Sequence, residues 1–456
     1  MFKSPFRLRR RAIGLAMVLA APLPMPAFAQ GLEEIIVTAR QREENLFEAP
    51  LSVTSLSGEE LQRGNIRDIK ELQAYTPGFY YTAQASTSTL RIAPSVRFRG
   101  MNNNFADPLQ QQGGVFIDGV FLFAGVQSLT MDDIERVEVI KGPQSALFGR
   151  STFGGAISFI TKRPADHFVE RVTAGVETKG TYDIISSIEG PLITDKLSFR
   201  VSGGRNVKGG HWTTTDGGKL GEETTNVINS QVIYKPTDAL EFRVRRMDNW
   251  QDDQRGFTVN MNANLPALAG AKNRCQVSTQ AYWCGQMPEV GSTGVPFSAL
   301  SMVTKFNTPA FNASNYPNAI LAVINKDRAS PMVRNGIPYQ DDVPKLGDRS
   351  GLVGRYQRTS LSMLYTFPND MTYDATYVSS RMASISATST SDDFGNSMGI
   401  STNILTDTSF DNRLSGKFGD KLSWSLGGNY YLQTELGGLT GTGVTISTSD
   451  VTRQVT

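Results

Sequence analysis

Residues 165–456 alternate apolar and polar side chains with a period of two. Leu240, Phe242 and Val244, for example, are separated by charged residues. Because successive side chains of a β-strand point to opposite faces, this period predicts strands with one apolar and one polar face. About ten such strands can be delimited by their turn signals.

The links between these strands alternate between short and long. The first hairpin is tight, at Lys179 and Gly180. The other short links are 191–196, 235–238, 368–370 and 419–420, and the longer ones are 208–223, 251–351, 387–407 and 436–442. Transmembrane barrels have this asymmetry, with short periplasmic turns and long extracellular loops. A soluble β-sandwich is the alternative, but it should not need a link of about a hundred residues.

Composition excludes several other classes. The 456 residues carry 45 basic and 43 acidic side chains, so no basic excess points to nucleic acid. Two histidines and two cysteines leave little room for a metal site, and we expect no metal and no cofactor. Cys275 and Cys284 lie close together, and we expect a disulfide between them if the chain is exported, the alternative being two free thiols.

Residues 1–29 have the features of a secretory signal peptide. Lysine and arginine residues precede a short apolar run at 12–21, and Ala27-Phe28-Ala29 forms a cleavage site. The apolar run is far shorter than the ~20 residues that span a bilayer as a helix, which argues against a membrane anchor. We therefore expect export and a mature chain that begins at Gln30.

Residues 49–164 predict a compact α+β domain. Strands are expected at 51–56, 115–120, 134–140 and 156–161, and a second short helix at 66–74. The first helix is expected after Ser57, because Ser57 with Glu60 three residues later matches a capping box. Before this domain, residues 33–40 read EEIIVTAR, an extended apolar stretch.

The order of motifs resembles the TonB-dependent outer-membrane receptors. The motifs are APLSVT at 49–54, VRFRG at 96–100, VFIDG at 115–119, IERVEVIKGP at 134–143, LFGR at 147–150, GGAIS at 154–158 and ITKRP at 160–164. The resemblance implies a membrane β-barrel around an N-terminal plug domain, located in the cell outer membrane. It divides the chain into a signal peptide (1–29), a TonB box and linker (30–48), a plug (49–164) and a partial barrel (165–456).

The resemblance also implies partners and contacts. A TonB box would pair by strand addition with TonB, which acts with its ExbB/ExbD energising complex; its residues are Glu34, Ile35, Ile36, Val37, Thr38 and Ala39. Charges on the plug are expected to pair with wall residues such as Glu177, Glu241, Arg243 and Arg245; these plug residues are Arg97, Arg99, Glu135, Arg136, Glu138 and Lys141. Outer-membrane lipid would surround the barrel.

The expected function is active import of a scarce extracellular ligand, with a ferric siderophore as the first choice. Candidate ligand contacts are Phe79, Tyr80, Tyr81, Met101, Asn102, Asn103, Asn104 and Phe105. Uptake of a carbohydrate or another organic nutrient is an alternative, and a passive porin or adhesin is the alternative from a different class. No enzyme is expected, because residues 142–155 lack the Gly-Lys-Ser/Thr of a phosphate loop and neither histidine neighbours a nucleophile motif.

Length is where the chain departs from this family. About ten strands are present, whereas plugged transporters use 22. We therefore expect a C-terminally truncated sequence that supplies only part of the barrel.

Overall fold

The computed structural model describes most of the plug and of the strand-rich region. The described residues are 52–82, 95–101, 112–124, 126, 129, 130–149, 151–213, 217–254, 351–389, 398–419, 422–441 and 444–455. Four further pairs of short strands are Ile36–Val37 with Glu44–Asn45, Trp212–Thr213 with Lys219–Leu220, Arg274–Val277 with Gln280–Trp283, and Val333–Arg334 with Ile337–Pro338.

The plug is built on a five-stranded sheet and a separate two-stranded one. Its strands are β1 (Ser52–Ser57), β2 (Phe79–Thr82), β3 (Ser95–Phe98), β4 (Gly113–Ile117), β5 (Val120–Phe121), β6 (Ile134–Lys141) and β7 (Gly155–Thr161). The larger sheet has the order β1-β6-β7-β4-β5, with β4 and β7 parallel and the other neighbours antiparallel. β2 pairs with β3. β6 and β7 therefore lie in the interior of the sheet.

The predicted capping box forms at the first helix, Gly58–Arg63. The side chain of Ser57 accepts a hydrogen bond from the backbone N–H of Glu60 at 3.2 Å, and the Glu60 carboxylate accepts one from the backbone N–H of Ser57 at 2.8 Å. The second predicted helix, at 66–74, is wrong in extent, because only the single 3₁₀ turn Glu71–Ala74 forms. Asp68 and Glu71 accept backbone hydrogen bonds from each other, a local pattern that competes with a helix.

The predicted strand at 115–120 is interrupted by a tight turn. Asp118 and Gly119 both have positive φ angles, of 47° and 84°. Two such residues make the turn whose twist suits a two-residue hairpin, and Asp-Gly is a preferred sequence for it. The result is a hairpin of β4 and β5 that places the Asp118 side chain at the surface of the plug.

The strand-rich region forms one ten-stranded antiparallel sheet, here called the wall. Its strands follow each other in chain order: β8 (Val169–Val176), β9 (Tyr182–Ile193), β10 (Leu197–Lys208), β11 (Glu223–Thr237), β12 (Leu240–Gln254), β13 (Gly351–Thr366), β14 (Thr372–Ser389), β15 (Met398–Phe418), β16 (Leu422–Gly441) and β17 (Val444–Val455). The prediction of about ten antiparallel strands is confirmed. The predicted long links at 387–407 and 436–442 are wrong in extent, because β14 continues to Ser389, β15 begins at Met398 and β16 continues to Gly441.

The two faces of the wall differ as the alternation predicts. On β12, Phe242 and Val244 are exposed on the outer face, whereas Arg245 and Met247 are buried against the plug. The inner face therefore meets a folded domain and the outer face remains free for lipid. Among the described residues, no helix is both long and apolar enough to cross a bilayer.

Candidate functional site: the interface between plug and wall

A single wall arginine, Arg200 on β10, holds two adjacent plug carboxylates. Its Nε donates to Oδ1 of Asp133 at 3.0 Å, and its Nη2 lies 3.4 Å from Oδ2 of Asp132. Its Nη1 donates to Glu189 on the neighbouring strand at 2.6 Å. All four side chains are buried, and Arg200 is only 4% exposed. We call these four residues, with the hydroxyl and amide groups described next, the Arg200 cluster.

Neutral donors complete the coordination of Asp133. Its Oδ2 accepts hydrogen bonds from Ser202 at 2.5 Å and from Asn229 at 2.8 Å, both on the wall. Thr130 of the plug donates to the same oxygen at 2.7 Å. A buried carboxylate needs such partners, because an unpaired charge in the interior is strongly unfavourable.

Asp132 links the same cluster to a second plug segment and to β8 and β9. Its Oδ1 lies 3.4 Å from Nη1 of Arg171 and accepts from Gln62 of the first helix at 3.3 Å. Its backbone carbonyl accepts from Nζ of Lys162 at 2.7 Å. The cluster therefore joins the helix, the 3₁₀ turn Met131–Asp133, the end of β7 and four wall strands.

The electrostatics of the cluster keep Asp133 ionised. Burial by itself would raise the pKa of Asp133, but the charge of Arg200 and the hydrogen bonds from Ser202 and Thr130 outweigh it and lower that pKa below 3.8. Burial lowers the pKa of Lys162, and the nearby Asp132 opposes this shift.

A second contact forms at the Asp118 turn. The two carboxylate oxygens of Asp118 accept from the backbone N–H and the hydroxyl of Thr161, at 2.9 and 2.8 Å, which fixes the turn against β7. Oδ2 of Asp118 then lies 3.5 Å from Nη1 of Arg245 and 3.7 Å from Nη1 of Arg243 on the wall. The turn conformation thus aims one plug carboxylate at two wall guanidiniums.

The remaining predicted wall residues also face plug charges. Arg163 at the end of the plug pairs with Glu241, and Arg67 pairs with Asp183 and lies 3.7 Å from Glu177. Gly175 leaves space for the guanidinium of Arg67, since a Cβ at this position would lie 2.7 Å from Nη1 of Arg67.

On the other side, the plug meets an apolar part of the wall. Inward-facing residues of β12 to β15 join the hydrophobic core of the plug; they are Met247, Tyr356, Met382 and Leu405. The rings of Phe123 and Tyr356 pack edge to face with centroids 6.1 Å apart. The inner face of the wall, which the alternation predicts to be polar, is therefore apolar in this part.

The plug charges named from the sequence make a different set of contacts. Arg136 donates to Glu135 at 2.7 Å and to Glu138 at 2.9 Å, and all three lie on β6 within the plug. These pairs lie within the plug, and the contacts predicted between this trio and the wall stay a prediction. Arg97 and Lys141 are half-buried and Arg99 is exposed. The wall contacts described above come from turns and segment ends of the plug, such as Asp133, Asp118 and Arg163.

The aromatic ligand candidates are also divided by the fold. Phe79 and Tyr81 are 2% and 5% exposed and belong to the plug core, which argues against contact with an extracellular ligand, although Tyr81 also lines the cavity described below. Tyr80, on the opposite face of β2, is 65% exposed and remains a candidate. Met101 packs against the plug core, and Asn102, Asn103, Asn104 and Phe105 lie outside the described residues.

Other predictions concern parts of the chain that are not described. The signal peptide, Glu34, Ile35, Thr38, Ala39 and Cys284 lie outside the described residues, and Ile36, Val37 and Cys275 are described by their backbone strands alone. The TonB box and the disulfide therefore remain predictions.

A cavity of about 360 Å³ lies between the plug and β9, β10 and β11. Its plug side is formed mainly by residues 67–71, and its wall side includes Asp183, Arg205 and Thr225. The volume is at the lower end of the range for small-molecule pockets. Charged groups from both domains line it together with apolar side chains such as Ile69 and Ile185.

Comparisons with known proteins agree with this architecture. Residues 45–156 match the family model of the TonB-dependent Receptor Plug Domain. The chain is 29% identical over 303 residues to the iron-regulated outer membrane virulence protein of Vibrio cholerae, a match that covers 60% of this chain and 44% of that protein. It is 26% identical over 235 residues to the ferrichrome outer membrane transporter/phage receptor of Escherichia coli, covering 49% and 29%.

Solved structures share the fold at low identity. The ferric yersiniabactin uptake receptor FyuA from Yersinia pestis aligns with a TM-score of 0.58 and 15% identity, covering 86% of this chain and 50% of that one. The siderophore receptor PiuA from Acinetobacter baumannii aligns with a TM-score of 0.58 and 15% identity, covering 90% and 50%. The chain thus spans about half the length of these structures, and its match covers less than half of the curated relatives.

A plug sheet seated against the inner face of a large antiparallel sheet defines part of a plugged membrane β-barrel of the outer membrane. Residues 45–156 match a TonB-dependent receptor plug domain, and the chain is similar to outer-membrane receptors that carry such a plug.

Replacing the central cation of the Arg200 cluster should unseat the plug. Arg200→Met leaves Asp132, Asp133 and Glu189 buried without their shared guanidinium, and we expect it to lower the free energy of unfolding by about 3–5 kcal/mol. Chemical unfolding of the purified protein in detergent measures this loss. The control is Arg163→Met, whose side chain is 43% exposed and should cost less than about 1 kcal/mol. Equal losses for both variants would contradict a special role for Arg200.

The cluster should also carry a defined pH dependence. Because the folded pKa of Asp133 is depressed below 3.8, its stabilising contribution is fully present above that pH and is lost as pH falls towards the folded pKa. Unfolding free energies of wild type and Asp133→Asn, measured from pH 7 to pH 2, give the difference directly. We expect the variant to be less stable at pH 7 and the difference to shrink on acidification. A difference independent of pH would show that Asp133 is not held as a carboxylate.

Proposed function

We propose that this protein imports a scarce ligand across the outer membrane, with a plug that is displaced by a pull from TonB. The observation that carries the proposal is that the plug contacts the wall through polar groups on one side and apolar groups on the other. Buried ion pairs and hydrogen bonds, centred on Arg200 and Asp118, hold one side of the plug. Such contacts hold a domain in one place, yet they can re-form with water once they are separated.

Energy coupling is assigned to the segment that precedes the plug. Ile36–Val37 forms a two-residue strand that pairs only with Glu44–Asn45 within the described residues. Such a short hairpin is marginal by itself in water, so its backbone groups are available for a stronger partner. TonB, acting with ExbB/ExbD, would pair with residues 34–39 by strand addition and transmit force through main-chain hydrogen bonds.

Deleting residues 34–39 should abolish uptake while leaving ligand binding nearly intact. The point variant Ile36→Pro should do the same, because proline cannot donate a ladder hydrogen bond. Ile36→Val is the matched control and should transport normally, since strand addition depends on the backbone. Uptake by cells and binding to purified protein are measured in parallel. If the deletion removes binding as well, the segment belongs to the ligand site and not to coupling.

A ferric siderophore is the proposed ligand class. The relatives include an iron-regulated outer membrane virulence protein and a ferrichrome transporter, and the structural neighbours include siderophore receptors. A vitamin B12 transporter also appears among the relatives, so other organic ligands form the alternative. The exposed phenol of Tyr80 suits either class. A passive porin or adhesin is disfavoured because such a protein has no use for a buried, charge-paired plug.

Regulation of expression separates these ligand classes. If the ligand is a ferric siderophore, iron starvation should raise the abundance of the protein in outer membranes well above its level in iron-replete cells. Growth on candidate carbon sources with ample iron serves as the control. Induction by a carbon source and not by iron starvation would replace the siderophore by an organic nutrient.

A further inference from the structure

Three wall arginines converge on a small cavity between the β4–β5 hairpin of the plug and the wall. Arg243 and Arg245 reach it from β12, and Arg358 reaches it from β13, the neighbouring strand of the sheet. The cavity has a volume of about 20 Å³, and Asp118 is the one carboxylate among the described residues that line it. Three guanidiniums and one carboxylate leave this lining with an excess of positive charge.

The protein uses only part of the hydrogen-bonding capacity of these arginines. Each guanidinium carries five N–H donors. Within the described part of the chain, Arg245 donates one hydrogen bond, to Asp118 at 3.5 Å, and Arg358 donates one, to the backbone carbonyl of Phe121 at 3.1 Å. Both arginines are nevertheless buried, with exposed fractions of 5% and 3%. Buried donors without an acceptor are strongly unfavourable, so these guanidiniums require an acceptor inside the cavity.

Asp118 compensates the arginines without saturating them. Nη1 of Arg245 and Nη1 of Arg243 lie 3.5 and 3.7 Å from Oδ2 of Asp118. Both separations exceed the roughly 2.8 Å of a close hydrogen bond between a cation and a carboxylate. The carboxylate is held at this distance because it also accepts from the backbone N–H and the hydroxyl of Thr161. Space and donors for a second acceptor therefore remain.

Neighbouring carboxylates do not fill this space. Glu241 lies 3.8 Å from Arg243, but it also pairs with Arg163. Asp407 of β15 accepts a hydrogen bond from Ser380 of β14. Neither carboxylate lines the cavity, so the second acceptor has to come from solution.

The size of the cavity selects among anions. A volume of about 20 Å³ holds one particle near the size of a water molecule. Phosphate, sulfate and organic carboxylates are too large for it, whereas a halide ion fits. The side chains of Asp118 and Arg243 are 28% and 20% exposed, so a small ion can enter from solution.

We propose that this cavity binds one chloride ion, which accepts hydrogen bonds from Arg245 and Arg358, with Arg243 at the open side. An ionised acceptor makes shorter and stronger hydrogen bonds than a neutral one, which favours chloride over water beside the unpaired guanidinium donors. The plug side of the cavity is formed by Ile117, Asp118 and Val120, so the ion stabilises the plug against the wall. This inference is independent of the transported ligand and of energy coupling by TonB.

The test measures unfolding of the purified protein in detergent as chloride replaces gluconate at constant pH and ionic strength. An ion that binds only the folded protein lowers the unfolding equilibrium constant in proportion to its concentration once the site is filled. We therefore expect about a tenfold lower constant for each tenfold rise in chloride in that range, and a similar dependence on bromide. Equal unfolding constants in chloride, bromide and gluconate would mean that the cavity holds water alone and overturn the proposal.

Two matched variants separate this site from general salt effects. Arg358→Gln removes one guanidinium from the cavity and should abolish the chloride dependence. Arg205→Gln removes a wall guanidinium that donates to Tyr182 and Asn226 away from this cavity, and it should keep the dependence of wild type. General salt effects act on both variants alike, so equal chloride dependence in the two contradicts the site.

Two further measurements decide the question if Arg358→Gln does not fold. Asp118→Asn removes the carboxylate that competes with chloride for the same guanidiniums, so its chloride dependence should begin at about tenfold lower concentration. A dependence that begins at higher concentration contradicts the assignment. In wild-type crystals soaked in bromide, anomalous scattering should locate the ion between Arg245 and Arg358. A halide found only at other positions overturns the proposal.

Discussion

The contact between the plug and the wall requires that charged groups leave water without any charge of the Arg200 cluster becoming unpaired. Arg200 compensates Asp132, Asp133 and Glu189 at once, and hydroxyl and amide donors satisfy the oxygens that remain. Networks of this kind add little net stability compared with a well-packed apolar interface, because desolvation offsets most of the attraction. Their gain is geometric, since only one placement of the plug pairs every charge. The apolar contacts around Tyr356 would tolerate small shifts, whereas the Arg200 cluster would not.

The position of this cluster in the chain gives it a second role in the proposed mechanism. A pull applied to residues 34–39 reaches β1 first and then the first helix, Gly58–Arg63, before the other elements of the plug. Gln62 of that helix donates to Asp132, so the helix and the cluster are directly connected. The cavity between residues 67–71 and the wall lies along the next segment of the chain. Force would therefore arrive first at the polar contacts of the Arg200 cluster, beside the cavity, and last at the apolar contacts with β12 to β15.

Sequence patterns predicted the wall better than they predicted the site. A period of two is set by backbone geometry, so the strands of the wall, including β12, and the Ser57–Glu60 capping box could be inferred locally. The plug–wall contacts depend on which side chains the tertiary fold turns outward. The charges on β6 were expected to pair with the wall, whereas the hydrogen bonds of Arg136 go to Glu135 and Glu138 of its own strand. Asp118 became a contact only because a positive-φ turn projects it from the sheet; the Asp-Gly dipeptide was the one signal that could have indicated this.

β12 shows why a mean hydropathy says little about such a strand. Arg245 and Arg246 are adjacent, but Arg245 points inward to Asp118 and Arg246 points outward to Asp248. A register slip of one residue would exchange the two faces, placing Arg246 against the plug and Phe242 in the lumen. Contacts on both faces therefore fix the register of this strand: Asp118 of the plug on the inner face and Asp248 on the outer face. Because each arginine is paired with a carboxylate on its own face, this strand can carry charges on both faces.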